Sequence, residues 1–417
     1  MQKIICIFLA FLPLFAISQP KQSEVSRILN TLASDSMKGR EAGTPSADQA
    51  SAFIASEFRK AGLKTFDNAA DYFQSFMMTR SETLESSVVY DSATADPGDV
   101  LVFAEKEGIS WDNTGAEKIW IPRGINFGQK LFGMTREKGD RIIFADTSYR
   151  KILNRFRSFP LQRFAGSGNI VVVLAPAEPQ KYKVTIQSRL ITVSLRNAVA
   201  TVPGKKKDEY VIFSGHYDHL GIGKPVEGDS IFNGANDDAS GTTAVIALAA
   251  YFKKAKQPER TLIFVAFTAE ESGGYGSTWF SRQMNPDQVV AMFNIEMIGT
   301  NSKWGKNSAY ITGYEKSDFG KLLQENLKGS AFTFYPDPYP DQKLFYRSDN
   351  ATLARLGVPA HTISTSKMDS EKFYHTVNDE VETLDLQNMT EIIRAIAISS
   401  KSIVSGKQTP ARVSGVE

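Results

Sequence analysis

Three apolar stretches between residues 210 and 296 each run straight into a turn that carries acids or a histidine. Tyr210–Ser214 leads into Gly215-His216-Tyr217-Asp218, Thr261–Thr268 into Ala269-Glu270-Glu271-Ser272-Gly273, and Val289–Ile295 into Glu296-Met297-Ile298-Gly299. Between them lie segments with apolar residues at helical spacing. Thr242–Lys254 puts Val245, Leu248, Ala249 and Phe252 on one side, and Gly276–Met284 follows the second strand. Lys316–Leu327 then reads as a helix, Val358–Ile363 as a strand and Leu386–Val404 as a closing helix. Apolar strands alternating with helices predict an α/β fold, a central mixed, largely parallel β-sheet flanked by helices on both faces. In such a sheet the groups at the carboxyl ends of the strands converge on one crevice.

A carboxylate at a strand end is partly desolvated, which is unfavourable unless it is paired or bound. Two further segments join the acid-bearing turns: Asn236-Asp237-Asp238-Ala239-Ser240-Gly241 and Tyr374-His375-Thr376. No comparable set of lysines or arginines accompanies them, so ion pairs cannot balance the charge and a divalent cation can. Imidazole and carboxylate without thiolate suit zinc. Five candidates, His216, Asp237, Glu271, Glu296 and His375, with one carboxylate shared, fill two metal sites better than one. Alone, an Asp-Asp pair is usually a turn or cap and a Glu-Glu pair a solvated face; the serial placement at strand ends is what joins them. The chain has four histidines. Of the other two, His219 is expected in a structural role or at the cleft rim, and His361, mid-strand, as a satisfied core residue.

The series GHYDHLG, GANDDASG, FTAEESGGYGS, NIEMIG and FYHTVND resembles the co-catalytic zinc aminopeptidases. That family also holds glutamate carboxypeptidase, glutaminyl cyclase and the non-enzymatic transferrin receptor. Ala33–Pro45 (ASDSMKGREAGTP) resembles the family's opening helix region, and the likeness covers roughly residues 23–78 and 196–405. The resemblance implies that His216, Asp237 and Glu296 hold one Zn2+, and that Asp237, Glu271 and His375 hold the other, with Asp237 bridging. It implies a cis peptide bond between Asp237 and Asp238, and Asp218 as the acid that orients His216. Glu270 matches the general base that activates a metal-bridged water, and Tyr374 a hydroxyl that stabilises the oxyanion. Two departures stand out: Glu296 occupies a position that is often aspartate, and Tyr346-Arg347-Ser348-Asp349-Asn350 stands where Ser-Asp-His is commoner.

The implied function is hydrolysis of N-terminal bonds in peptide substrates. A carboxypeptidase or dipeptidase of the glutamate carboxypeptidase type would need arginines to grip a terminal carboxylate, and Arg347 stands without a cluster. Glutaminyl cyclase runs with one zinc, against which the five ligand positions argue. A metal-free binding ectodomain predicts broken ligand positions, and none is broken.

With 417 residues the chain exceeds one average core, so an insertion or a second domain is expected. Residues 23–63 read as helices, with Val25, Ile28, Leu29 and Leu32 on one face, then Ala50, Phe53, Ile54 and Phe58 before Gly62. Residues 80–195 read as a β-rich insertion, loosely of the protease-associated kind, in which Ser148–Phe164 is helical. Such an insertion would limit access to short peptides. The expected organisation is a signal peptide at 1–18, the helical start of the catalytic domain at 19–79, the insertion, the catalytic domain at 196–405 and a tail at 406–417. Lys3, the apolar run Ile4–Ile17 and Ala16-Ile17-Ser18 carry the signal reading, with cleavage after Ser18. The run is too short to span a membrane comfortably, so no stable span is expected after cleavage. Export to a bacterial periplasm or the medium follows. Cys6, the only cysteine, lies in that leader, which excludes disulfides, thiolate metal sites and cysteine nucleophiles from the processed chain. Lys plus Arg number 48 against 46 for Asp plus Glu, without the basic surplus of a nucleic-acid binder. The sequence leaves the oligomeric state open.

Overall fold

The computed structural model describes residues 19–158 and 162–414. The expected signal peptide at 1–18 and the end of the expected tail lie outside the described residues. The chain divides into two compact units, one running up to Gln74 and resuming at Arg196, the other formed by Ser75–Leu195.

The first unit opens with two helices. α1, Gln22–Leu32, buries Val25, Ile28, Leu29 and Leu32, the i, i+3, i+4, i+7 stripe of a one-faced helix. α2, Pro45–Ala61, starts with proline in its first turn and with the Thr44 hydroxyl accepting the Ala47 amide. A cap of that kind contributes about 1 kcal/mol. Gly62, at φ 76°, closes the helix in the left-handed conformation that glycine adopts without steric cost.

Six further strands of this unit are β1 (Lys206–His216), β2 (Arg260–Phe267), β3 (Val289–Ile295), β4 (Ser308–Ile311), β5 (Thr333–Pro336) and β6 (Ala360–Ser364). Their order across the sheet is β5-β4-β6-β3-β1-β2, continued beyond β2 by Ala198–Val202 of the strand Tyr182–Val202. β1 runs parallel to both β2 and β3, and β3 parallel to β6, whereas β4 opposes β6 and Ala198–Val202 opposes β2. The sheet is therefore mixed and largely parallel.

Alternation along β1 sends Val211 and Phe213 to one face and Ile212 to the other. Phe213 lies between Phe264 and Phe293, with ring centroids 5.4 and 4.9 Å away. On that face pack α1, α2, α3 (Gly241–Lys254) and α6 (Leu386–Ser399). α4 (Tyr275–Arg282) covers the other through Phe280, while α5 (Phe319–Asn326) joins the first face through Phe319 and Leu323. The closing helix expected through Val404 breaks at Ser400, and the short strands β4 and β5 were not anticipated. No helix among the described residues is long and apolar enough to cross a membrane.

The second unit departs from a run of short strands and turns. Glu117–Ile121, Arg141–Asp146 and Ile170–Ala175 are parallel neighbours, with Val100–Phe103 antiparallel at the edge. Parallel neighbours need crossovers, and the helices Phe127–Thr135 and Arg150–Ser158 supply them. Phe127, Leu131 and Leu153 pack with Ile143, Val172 and Leu174, while Ile142, Phe144, Val171 and Val173 face Val184 and Ile186. Of the expected helix Ser148–Phe164, Arg150–Ser158 is helical, residues 159–161 lie outside the described residues, and Arg163–Phe164 is a strand.

Candidate metal centre

Three adjacent strands deliver the acid-bearing turns to one place. β1 ends on His216, β2 is followed by Glu270 and Glu271, and β3 by Glu296. The strands are parallel neighbours, so their carboxyl ends lie side by side. The turn Ala235–Ser240, just before α3, brings Asp237, and the peptide bond between Asp237 and Asp238 is cis. His375 arrives from the loop between β6 and α6. Ala269, Met297 and His375, each beside or within the cluster, hold positive φ of 57°, 54° and 57°. A non-glycine residue held there costs on the order of 1–3 kcal/mol, which surrounding structure must offset.

Asp237 stands at the centre. Its Oδ1 lies 3.2 Å from His216 Nε2, and its Oδ2 lies 3.3 Å from His375 Nε2. His375 Nε2 is also 3.1 Å from Glu271 Oε2. Ligand atoms of His216, Asp237 and Glu296 fall within 4.8 Å of one another, as do those of His219, Asp237 and Glu271. Asp237 thus belongs to both groups. Glu270 Oε2 is 4.0 Å from His216 Nε2. All five sequence-predicted ligands and Glu270 come together.

His219 is not at the rim. It is 1% exposed, and its Nδ1 lies 2.8 Å from Glu271 Oε1. Asp218 also differs from expectation. Its carboxylate is 3.9 Å from His216 Nδ1, too far for a hydrogen bond, and the Asp218 carbonyl takes that contact at 3.1 Å. The carboxylate instead accepts the amides of Glu270 and Glu271 at 3.1 and 3.4 Å, holding the turn that carries them. Tyr374 is 38% exposed and stacks on the His375 ring, with centroids 3.8 Å apart. The Ser348 hydroxyl donates to Glu296, and Asn294 Nδ2 lies 3.4 Å from the same oxygen. His361 is satisfied in the core between the Thr312 carbonyl and Ser317, each at 2.8 Å.

Several supporting residues carried no sequence-level role. Asp238 accepts the amides of His216, Gly241 and Met297 at 3.1, 3.0 and 3.0 Å, fastening β1, α3 and the end of β3 together. Asp379 accepts the amides of Asn236 and Asp237 at 2.8 and 3.0 Å. Arg40 is fully buried, and its guanidinium ends on the carbonyls of Leu32, Tyr217, Asn233 and Gly234. The only signal for Arg40 and Asp379 was their presence inside the segments KGREAG and FYHTVND.

The electrostatics are those of crowded acids. Burial pushes Asp218 and Glu296 each up to about 7 and Asp379 up to about 6. Burial likewise holds Glu270 and Asp238 well above the usual carboxylate range, against the pull of His216. It acts on Asp237 too, but the His216 and His375 imidazoles on either side outweigh it and keep that carboxyl below its ordinary value. Burial opposes charge on His375, yet Asp237 and Glu271 lift it to about 10. So many carboxylates cannot ionise together in a buried place without added positive charge. The Nε2 atoms of His216 and His375, which face Asp237, are buried and lack hydrogen-bond partners. Imidazole nitrogens aimed among carboxylates with no donor between them, and no thiol among the described residues, fit zinc in type.

Comparison with known proteins places this geometry. The sequence profile of Peptidase family M28 matches residues 197–399. A probable zinc metalloprotease of Leptosphaeria maculans is 33% identical over 148 residues, covering 34% of this chain and 33% of that protein. A probable leucine aminopeptidase of Trichophyton verrucosum is 30% identical over 207 residues, covering 47% and 54%. The chain thus spans from a third to about half the length of these curated relatives. Among solved structures, the aminopeptidase from Aneurinibacillus sp. strain AM-1 superposes with a TM-score of 0.56 at 17% identity, covering 95% of each chain. BSAP, a zinc aminopeptidase from Bacillus subtilis, gives 0.56 at 18%, covering 95% of this chain and 99% of that one. These likenesses establish a shared fold, and the profile match extends across β1, β2, β3 and α6, the elements around the histidine–carboxylate cluster. Residues 197–399 thus carry the sequence pattern of Peptidase family M28, and the relatives and structural neighbours of the chain include a zinc metalloprotease, a leucine aminopeptidase and a zinc aminopeptidase.

Proposed function

We propose that the chain is an exported metallo-aminopeptidase that holds two zinc ions and removes residues from the amino termini of peptides. The observation that carries this reading is Asp237, whose two oxygens face different imidazoles at 3.2 and 3.3 Å. His216, Asp237 and Glu296 would hold one ion, and Asp237, Glu271 and His375 the other. Zinc held there supplies a Lewis acid for the scissile carbonyl and makes an attacking water acidic near neutral pH. Glu270, raised by burial, accepts the proton of that water and returns it to the departing amine. The Tyr374 hydroxyl, kept protonated by burial, donates to the oxyanion that develops on the carbonyl. Glu270 and Glu296 supply the negative charge that receives a substrate ammonium group. The names of the relatives, a leucine aminopeptidase and a zinc metalloprotease, support the assignment. Export rests on the apolar leader before Gln19.

The test is hydrolysis of a peptide with a free amino terminus beside its N-acetylated twin, each with and without a zinc chelator. Cleavage of the free peptide alone, abolished by the chelator, is expected. Equal cleavage of the acetylated peptide overturns the aminopeptidase reading, and chelator-resistant cleavage overturns the metal.

A further inference from the structure

His219 has no part in the mechanism above, yet it is buried at the centre of the cluster. Its Nδ1 is 2.8 Å from Glu271 Oε1 and 4.0 Å from Asp237 Oδ2. Its ring stands edge-on to His375, with centroids 5.7 Å apart at 70°. Glu271 therefore has an imidazole on each oxygen, His219 on Oε1 and His375 on Oε2. Gly234, held at φ 55°, leaves the space for the ring, because a Cβ there would overlap it.

Two roles are open to an imidazole so placed. As a ligand through Nδ1 it would carry its proton on Nε2, which is buried and has no acceptor. As a donor through Nδ1–H it leaves only a lone pair on Nε2, the lesser loss. The 2.8 Å contact has hydrogen-bond length, whereas Asp237 is beyond it. Ligating carboxylates are commonly fixed by such outer partners.

We propose that His219 is a positioning residue: it donates Nδ1–H to Glu271 Oε1 and so reserves Oε2 for the ion shared with Asp237 and His375. The proposal rests on the two-zinc reading and adds to it the residue that fixes the second site.

The test compares His219→Asn, whose amide nitrogen falls near the Nδ1 position and keeps the donor, with His219→Phe, which keeps a ring without one. Zinc binding to the chelator-stripped full-length chain is read by competition with a chromophoric chelator, and thermal unfolding of the metal-free forms is measured alongside. Wild type and His219→Asn are expected to bind two ions with affinities within about threefold. His219→Phe is expected to keep one site and bind the second ion about 10–100-fold more weakly at an unchanged melting temperature. Where His219→Phe does not reach the wild-type circular dichroism, His219→Gln, whose donor is displaced from Oε1, carries the same comparison. Undiminished affinity for both ions in the donor-less variant overturns the proposal. Loss of the second ion in His219→Asn as complete as in His219→Phe overturns it in favour of direct ligation. A wild-type chain that takes up no zinc overturns the two-zinc reading itself, and this role with it.

Discussion

Arg40 Nε donates to the carbonyl of Tyr217 at 2.7 Å, joining positions 177 residues apart. Tyr217 sits between His216 and Asp218, so this bond fixes the strand end that carries the first histidine. The remaining bonds, to Leu32 and Asn233 at 2.6 Å and Gly234 at 2.9 Å, tie the same guanidinium to α1 and to the approach to Asp237. Burial lowers its pKa to about 10, against the pull of Asp379 and Asp218, so it remains charged at neutral pH. Arg40→Met removes the guanidinium from four buried carbonyls, of which that of Gly234 keeps the Ala239 amide, and each unmade bond costs about 1–3 kcal/mol. A loss of at least about 3 kcal/mol in urea unfolding is expected, with Arg40→Lys recovering part of it. A loss below about 1 kcal/mol would show that the carbonyls find other partners.

His361 gives the fold an acid limit. Burial, partly offset by the Thr312 carbonyl and the charge of Asp318, lowers its pKa to about 4 from an ordinary 6.5. A depressed histidine favours the folded state most above pH 6.5, where it is neutral in both states, and that contribution is lost as pH falls toward 4. The difference corresponds to about 3 kcal/mol. Asn keeps a donor for the Thr312 carbonyl but does not titrate. The stability of wild type relative to His361→Asn should therefore fall by about 3 kcal/mol between pH 7 and 4. A difference that stays constant across that range refutes the assignment.

Glu270 and Glu296 should separate by what they lose. Glu270→Gln removes the proton acceptor while leaving every proposed ligand in place. It should retain wild-type zinc content while kcat falls by about 10²–10⁴-fold. Glu296→Ala removes a proposed ligand that also accepts the Ser348 hydroxyl, and zinc content itself should drop. Unchanged stoichiometry in Glu296→Ala would remove it from the ligand set.

A cavity of about 60 Å³ adjoins Glu296, walled by Met297, Thr312, Leu344, Thr362 and Met368. At roughly 10–15 Å³ per water-sized group, it holds a side chain on the scale of leucine, well short of tryptophan. Leucyl substrates should exceed tryptophanyl substrates at least about tenfold in kcat/KM, and Met368→Ala should narrow the gap. Equal rates would show that the cavity does not receive the substrate side chain.

The sequence was most legible where the signal was local. Period and length marked β1, β2, β3 and α3, because buried parallel strands are continuous apolar runs and their helices keep one apolar face. The proposed ligands were legible because each follows such a strand or falls within a matching motif. Arg40 was not, since its four partners come from Leu32, Tyr217, Asn233 and Gly234, and no local pattern encodes them. His219 was left between a structural role and the rim for the same reason, and burial excludes only the rim: its partner Glu271 lies 52 residues away. The helix Phe127–Thr135 was hidden by Gly128 and Gly133, poor helix formers that tertiary packing of Phe127 and Leu131 overrides. Asp218 kept its place but changed its contact: its carboxylate turns to two backbone amides at the Glu270 turn, and its own carbonyl takes the imidazole.

Zinc content per chain tests the central claim most directly. The purified full-length protein, stripped with chelator, reloaded and freed of excess ion, should carry two equivalents of zinc by elemental analysis. One equivalent or none would contradict a centre in which Asp237 is shared between two metals.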